Sequence, residues 1–382
     1  MTGAERRSLL IVLDGVGCGA APDAVRYGDE GADTLGRVLR GTGLRLPVLD
    51  GLGLGRVLGL SDAPTPRAMH GRMRPRAAGK DSTTGHWEIA GAVLREPFAV
   101  FERFPEALVA AIEAEAGTRF LGNRPASGTA IIEELGAEHL RTGHPILYTS
   151  ADSVLQVAAH EAIWPVPRLH ALCALARRHA DAWRIGRVIA RPFTGEPGAL
   201  RRSEAGRHDF GMPPPPTVLD AMRAAGLPTV GIGKTADLFG GRGFDASHPT
   251  ASNAEGMAAI ARVWTATERG LVFANLLEFD TLYGHRRNVA GFAAALAAFD
   301  AWLGGFLAAA LRPEDLLAIT ADHGNDPGFR GTDHTREEVP LLVVQGGRRE
   351  GLGLRDGFAD VAATLAGFHG LAGWSPGRSV LP

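Results

Sequence analysis

Three short apolar runs, far apart in the chain, each lead to an acidic side chain, and that shared ending constrains the fold more than any other feature. Residues 9–13 run into Asp14, 271–279 into Asp280, and 316–319 through Thr320 and Ala321 into Asp322. In an open parallel sheet the binding groups collect beyond the carboxyl ends of the strands, so acidic endings from distant segments converge on one crevice. Strand-like runs at 8–13, 228–233, 270–278, 315–321 and 339–345 alternate with helical stretches near 217–225, 252–268 and 288–311. This alternation predicts an α/β chain with a mainly parallel sheet covered by helices on both faces.

Between about 98 and 215 the pattern changes to a helix around 105–116, a strand near 146–149, a helix around 168–183 and a strand near 186–190. The segment reads as an inserted smaller α/β cap domain, 98–215, in a core built from 1–97 and 216–382. Pro213 to Pro216 form a stiff exit linker, because consecutive prolines favour extended backbone. A length of 382 residues, beyond the usual reach of a single core, fits this division. The formal charge of -2 gives no broad basic field, and no basic patch with interleaved aromatics is present, which argues against nucleic acid as a partner. Arg6 and Arg7 precede an apolar stretch that stops at Asp14, too soon for a signal-peptide core or a membrane span, so a cytoplasmic protein with no membrane partner is expected. Cys18 and Cys173 are too few for a disulfide framework and read as inert small side chains.

Chemistry concentrates in three segments. T-A-D-H-G-N-D-P-G-F-R-G-T-D-H, residues 320–334, offers Asp322, His323 and His334, a carboxylate and imidazole set suited to a divalent ion of intermediate hardness. Neighbouring strand residues face opposite ways, so Asp322 and His323 serve one ion only where regular pairing ends, as Gly324 and Asn325 suggest; alternatively they flank two ions. Asp280 is followed by T-L-Y-G-H, which supplies His285. G-K-D-S-T-T-G-H-W-E, residues 79–88, sets Ser82, Thr83 and Thr84 beside Asp81, His86 and Glu88. A hydroxyl coordinated to a divalent ion becomes a usable nucleophile without a partner histidine. The competing reading is a hydroxyl-rich helix cap with Glu88 as its box residue. Lysine occurs only at Lys80 and Lys234, each directly after glycine, while every other basic side chain of this class is Arg. A compact ammonium and a planar guanidinium are not interchangeable, so these two positions are candidates for function.

Taken together, L-D-G-V-G-C-G-A-A-P-D-A, G-K-D-S-T-T-G-H-W-E-I-A-G, A-S-G-T-A-I-I-E-E-L-G, Y-T-S-A-D-S-V-L-Q, G-I-G-K, F-D-T-L-Y-G-H-R-R and A-D-H-G-N-D-P resemble the phosphopentomutases, metal-dependent mutases of the alkaline phosphatase superfamily, nearly end to end. The resemblance implies an alkaline-phosphatase-like core and a pair of manganese ions bridged by the nucleophile. Asp14, Asp322 and His323 match the ligands of one ion, and Asp280, His285 and His334 those of the other. The nucleophile, itself a metal ligand, falls at Ser82, where the family usually has Thr. Glu278 departs too, standing where the family more often shows Asp, and the five-residue interval to His285 selects Asp280 as the ligand. Ser150, Asp152, Arg191 and Arg207 of the cap, with Lys234 of the core, resemble the substrate-binding set; arginine forks suit phosphate and Asp152 a ribose hydroxyl. The implied reaction interconverts ribose or deoxyribose 1-phosphate and 5-phosphate through a phosphoserine enzyme and a 1,5-bisphosphate, primed by a sugar bisphosphate. Small-molecule pentose phosphates are then the partners, and oligomeric state is left open. The alternative is a cofactor-independent phosphoglycerate-mutase-like enzyme or a metal-dependent phosphatase on the same core. His86, His139, His144, His160, His179 and His208 receive no role from the sequence.

Overall fold

The computed structural model describes residues 6–150 and 153–382. Its strands, in chain order, are β1 (Arg7–Leu13), β2 (Met69–Met73), β3 (Leu121–Pro125), β4 (Ile146–Thr149), β5 (Val154–His160), β6 (Arg187–Thr194), β7 (Arg201–Arg202), β8 (His208–Gly211), β9 (Thr229–Ile232), β10 (Ala246–His248), β11 (Gly270–Leu276), β12 (Leu316–Thr320), β13 (Val339–Val344) and β14 (Gly351–Arg355). Two compact units result: one ends at Glu96 and resumes at Pro214, and the other spans Pro97–Pro213.

The first unit is organised by an eight-stranded sheet in the order β10-β9-β11-β1-β12-β13-β2-β14. From β10 to β12 all pairings are parallel, whereas β13 runs antiparallel to both β12 and β2. Aliphatic residues fill β1 from Leu9 to Leu13, and all seven of its positions are buried, as expected for a central strand covered on both faces. Leu13 pairs with Leu276 and Val12 with Thr320, so the ends of β11, β1 and β12 lie side by side. That register delivers Asp14 to the middle of the row.

The helix Val289–Ala310 is long and apolar enough, by length and composition, to cross a membrane. In the fold it buries Phe292, Leu296, Phe299, Leu303 and Phe306, spaced by three or four, against the helices Thr34–Thr42, Pro47–Leu52 and Asn253–Ala266. Its buried Asp300 accepts from the backbone N–H groups of Val48 (3.2 Å) and Leu49 (2.8 Å), so one helix supplies the carboxylate that satisfies the start of another.

The second unit has its own sheet, β3-β4-β5-β6-β7, with β8 also paired to β6. Side-chain alternation along β4 splits its core. Leu147 joins the cluster under the helices Glu106–Ala116 and Val166–Ala180, and Ile146 and Tyr148 join Ile131 and Ile132 of the helix Gly128–Thr142. That last helix goes beyond the sequence reading, since Ile131-Ile132 is a strand-like pair by propensity. Ser127 starts it by accepting from Ala130 N–H at 3.2 Å.

His369, in the first unit, follows the helix Ala359–Phe368 and is buried, with Nε2 2.8 Å from Ser8 Oγ and Nδ1 without a partner. Burial pushes its pKa down to about 4. Because the folded chain binds this proton more weakly than the unfolded chain, the contribution is complete above the ordinary imidazole pKa of about 6.5 and is lost as pH falls towards 4. Urea denaturation at pH 7 and pH 4 is expected to show a stability loss that is roughly 3 kcal/mol smaller in His369→Gln than in the parent, by the conversion of about 1.4 kcal/mol per pKa unit. Equal losses in the two proteins would contradict this origin.

Candidate metal centre

Asp14 stands at the end of β1, while Asp322 and His323 follow β12 after its last paired residue, Thr320. Release from strand alternation allows these consecutive residues to share one space. The Asp14, Asp322 and His323 side chains each place one ligand atom within 4.8 Å of the others, and so do Asp280, His323 and His334. His323 therefore belongs to both groups: its Nε2 is 3.4 Å from Asp14 Oδ1 and 3.4 Å from Asp322 Oδ2, and its ring centroid is 4.2 Å from that of His334. Around Asp280, His334 Nε2 is 3.3 Å from Oδ1 and His285 Nε2 is 3.3 Å from Oδ2. All six carboxylate and imidazole candidates thus gather in one cluster.

The spacing of Asp280 and His285 has a structural cause. Residues Phe279–Gly284 form a wide π-type turn, in which His285 N–H donates to Asp280 C=O at 3.0 Å. A regular α-turn separates positions five apart onto different faces, but the wider turn returns them to the same one, a device common at functional sites. Glu278 points elsewhere, accepting from Asn253 N–H at 2.6 Å at the start of the helix Asn253–Ala266.

The segment around Ser82 is a helix cap whose first hydroxyl faces the cluster. Asp81 caps the helix Ser82–Ile89 by accepting from Thr84 N–H at 3.0 Å, and Ser82, the first helical residue, directs Oγ to Asp14 Oδ1 (3.3 Å) and His323 Nε2 (3.1 Å). Thr84 is buried and spends its hydroxyl on Asp81. Glu88 is no capping-box partner. It accepts instead from the backbone N–H groups of Arg76, Ala77 and Phe358. Gly85 permits the approach of this helix, because a Cβ there would lie 2.1 Å from the Asp322 carbonyl oxygen.

A further set of residues, to which the sequence reading gave no role, orients these groups. Asn275 Nδ2 donates to Asp14 Oδ2 (3.1 Å), and Asn325 Nδ2 donates to Asp280 Oδ1 (2.7 Å). His86, buried and stacked on Phe273, has Nδ1 2.9 Å from Ser82 C=O and Nε2 3.3 Å from the Asn275 amide nitrogen. The amide nitrogen can only donate, which assigns the imidazole proton to Nδ1 and aims it at Ser82 C=O. Asp322 Oδ2 is buried 3.0 Å from the same Nδ1. Arg287, at φ 53°, donates to Asn325 Oδ1 (2.8 Å) and to the carbonyls of Gly284, Asp326 and Asp333. His285 Nδ1 lies 2.7 Å from Thr332 C=O, which turns Nε2 towards Asp280. Partners of this kind fix the tautomer and orientation of metal ligands. A polar amide inside an apolar strand, Asn275 between Ala274 and Leu276, is the signal by which one of them was detectable.

The electrostatics favour bound positive charge. Burial alone would raise Asp280 and Asp322, yet His285 and His334 hold Asp280 well below the usual carboxylate range, and the His323 charge brings Asp322 down to about 2. Burial opposes charge on His323 as well, but Asp322, Asp14 and Asp280 push it up to about 10. Three carboxylates collected out of water beside three imidazoles require a cation, so the donor set of the residues present fits divalent metal. Lys234 Nζ stands 3.5 Å from Asp14 Oδ2; burial disfavours its charge, but the Asp14, Asp280 and Asp322 carboxylates outweigh that and raise its pKa. The remaining expected residues lie in the second unit. Ser150 directly follows β4, Arg191 in β6 donates from Nε to Gln156 Oε1 (3.1 Å), and Arg207 pairs with Asp209 (2.9 Å). Asp152 lies outside the described residues.

Residues 6–373 match the family model of the metalloenzyme superfamily. The chain is 53% identical over 375 residues to a phosphopentomutase of Anaeromyxobacter dehalogenans, covering 96% of this chain and 95% of that one. The chain belongs to the phosphopentomutase family. It is 52% identical over 369 residues to the phosphopentomutase of Syntrophotalea carbinolica, with 94% of each covered. A phosphoglycerate mutase structure from Leishmania mexicana shares the fold, with a TM-score of 0.52 and 14% identity over 99% of this chain and 98% of that one. Family membership makes this chain an isomerase of the mutase type that depends on divalent metal. For a phosphopentomutase-family site of this geometry, Asp322→Asn is expected to weaken divalent-ion binding by at least about tenfold, the scale on which even supporting residues act. Calorimetric titration with Mn2+ checks it, and an affinity equal to the parent's would remove Asp322 from the ligand set.

Proposed function

We propose that the chain interconverts ribose or deoxyribose 1-phosphate and 5-phosphate through a phosphorylated Ser82 and a 1,5-bisphosphate intermediate. The observation that carries this reading is the Ser82 hydroxyl, placed at a helix N-terminus within 3.3 Å of Asp14 and 3.1 Å of His323. Asp14, Asp322 and His323 would hold one ion, and Asp280, His285 and His334 a second, with His323 within reach of both. Two divalent ions, manganese by the family resemblance, would favour the Ser82 alkoxide and neutralise charge on the phosphoryl oxygens.

The chain's own residues supply the rest. Ser82 Oγ carries the phosphoryl group and yields it to the free hydroxyl of a pentose monophosphate; the new P–O bond replaces the bond to Oγ, and the proton of that hydroxyl ends on Oγ. The bisphosphate then returns its other phosphoryl group to Ser82. The positive end of the helix Ser82–Ile89 and the Lys234 ammonium favour the anionic group at this position. We assign 1–97 with 216–382 the catalytic role, and the insert 98–215 substrate recognition, with Arg191 and Arg207 reading phosphate and Ser150 and Asp152 the sugar. Substrates of this kind suit a cytoplasmic enzyme, and a sugar bisphosphate would prime Ser82.

Ser82→Ala is expected to lower exchange by roughly a thousandfold or more, the scale of losing a covalent nucleophile, while metal content stays near the parent's. Ser82→Thr is expected to remain active. A coupled assay of ribose 1-phosphate conversion with manganese, run with and without a sugar bisphosphate, measures both. Inorganic phosphate as the dominant product would assign the site to a phosphatase, and full activity in Ser82→Ala would remove Ser82 from the mechanism.

A further inference from the structure

Lys80 remains unexplained by the chemistry above. It is one of two lysines among 40 Lys and Arg residues, so this position has kept an ammonium in a chain that uses guanidinium almost everywhere else. The Nζ sits between two carboxylates, 3.0 Å from Asp29 Oδ2 and 3.0 Å from Asp333 Oδ2. Asp29 is mostly covered and anchored, since its Oδ2 also accepts from Arg336 N–H at 2.8 Å. Asp333 is open to solvent, with a side-chain exposure of 72%. A point donor reaches two carboxylates on different sides, whereas a planar fork is matched to one carboxylate at a time.

The position of Asp333 gives this bridge its consequence. Its Oδ1 accepts from His334 N–H (2.8 Å), its backbone carbonyl accepts from Arg287 (3.0 Å), and the preceding carbonyl, of Thr332, is the partner of His285 Nδ1. The exposed strap at 328–333 therefore leads into one candidate ligand and orients another, although little of it is buried. Arg287 holds the strap from the turn that bears His285. Lys80 holds it from the segment that bears Ser82, two residues away.

We propose that Lys80 is a positioning residue that, through Asp333, ties the strap to the nucleophile segment and so sets where His334 and His285 stand relative to Ser82. The proposal rests on the two-ion reading of the site. Exposed ion pairs contribute little by themselves, so the effect is read in metal affinity at the Asp280 side and not in overall stability.

The test is Mn2+ calorimetry on the full-length parent, Lys80→Met, Lys80→Arg, Asp333→Asn and the Lys80→Met/Asp333→Asn double variant, with His334→Ala marking which binding phase belongs to the Asp280 side. The parent is expected to bind two ions. Lys80→Met and Asp333→Asn should each weaken the phase that His334→Ala removes by about tenfold, leave the other phase unchanged, and recover exchange activity at saturating Mn2+. The double variant should be no weaker than either single one, and Lys80→Arg should behave like Lys80→Met. With two ions bound by the parent, unchanged affinity in Lys80→Met, additive losses in the double variant, or restoration by Lys80→Arg would overturn the positioning role while leaving the two-ion reading intact. A parent that binds a single ion would overturn both.

Discussion

Three carboxylates, Asp14, Asp280 and Asp322, are collected almost entirely out of water at the ends of neighbouring strands, and the rest of the centre answers that concentration of negative charge. Water cannot screen them there, so each carboxylate oxygen needs a donor or a cation. Asn275 and Asn325 each take one oxygen of a different aspartate, and both aspartates also meet imidazole nitrogen. Asp322 Oδ2 is met by imidazole nitrogen and by neither amide, with His86 Nδ1 at 3.0 Å and His323 Nε2 at 3.4 Å. The amides divide the oxygens into those fixed by the protein and those left for metal, which gives a buried acidic cluster a defined geometry.

The same constraint explains where Ser82 is placed. An oxygen nucleophile beside three carboxylates would be a poor anion without compensating charge, and the helix that begins at Ser82 turns its positive end to the cluster. Gly85 makes this possible by letting the helix pack against the Asp322 backbone. His86 fastens the Ser82 carbonyl and, through Asn275, connects it with Asp14. Ser82 and Asp14, the proposed nucleophile and ligand, therefore share one set of hydrogen bonds.

Much of the frame was legible in the sequence because strands covered on both faces are written as continuous aliphatic runs. The expected runs near 8–13, 270–278 and 315–321 correspond to β1, β11 and β12, and the row of acidic endings follows from that order. Less legible were features fixed by tertiary pairing. His323 could be read as a ligand, but its reach towards both groups depends on His334 returning across the turn. Asn275, Asn325 and Arg287 act through hydrogen bonds to partners as many as 261 positions away, and an isolated amide or guanidinium carries no sign of its partner. Asp280 with His285 was legible as an interval, although the π-type turn that gives the interval its meaning was not. The true role of Glu88 was hidden because its hydrogen-bond donors lie in segments around Arg76 and Phe358 instead of at its own helix start.

The central place of β1 bears on how the chain is made. It precedes every other strand of the sheet in the chain, yet both of its neighbours, β11 and β12, begin only at Gly270 and Leu316. Contacts closed over such distances form late and slowly. During synthesis this buried strand must wait, unpaired on both edges, until most of the polypeptide has emerged, and the first unit condenses only once β11 and β12 arrive.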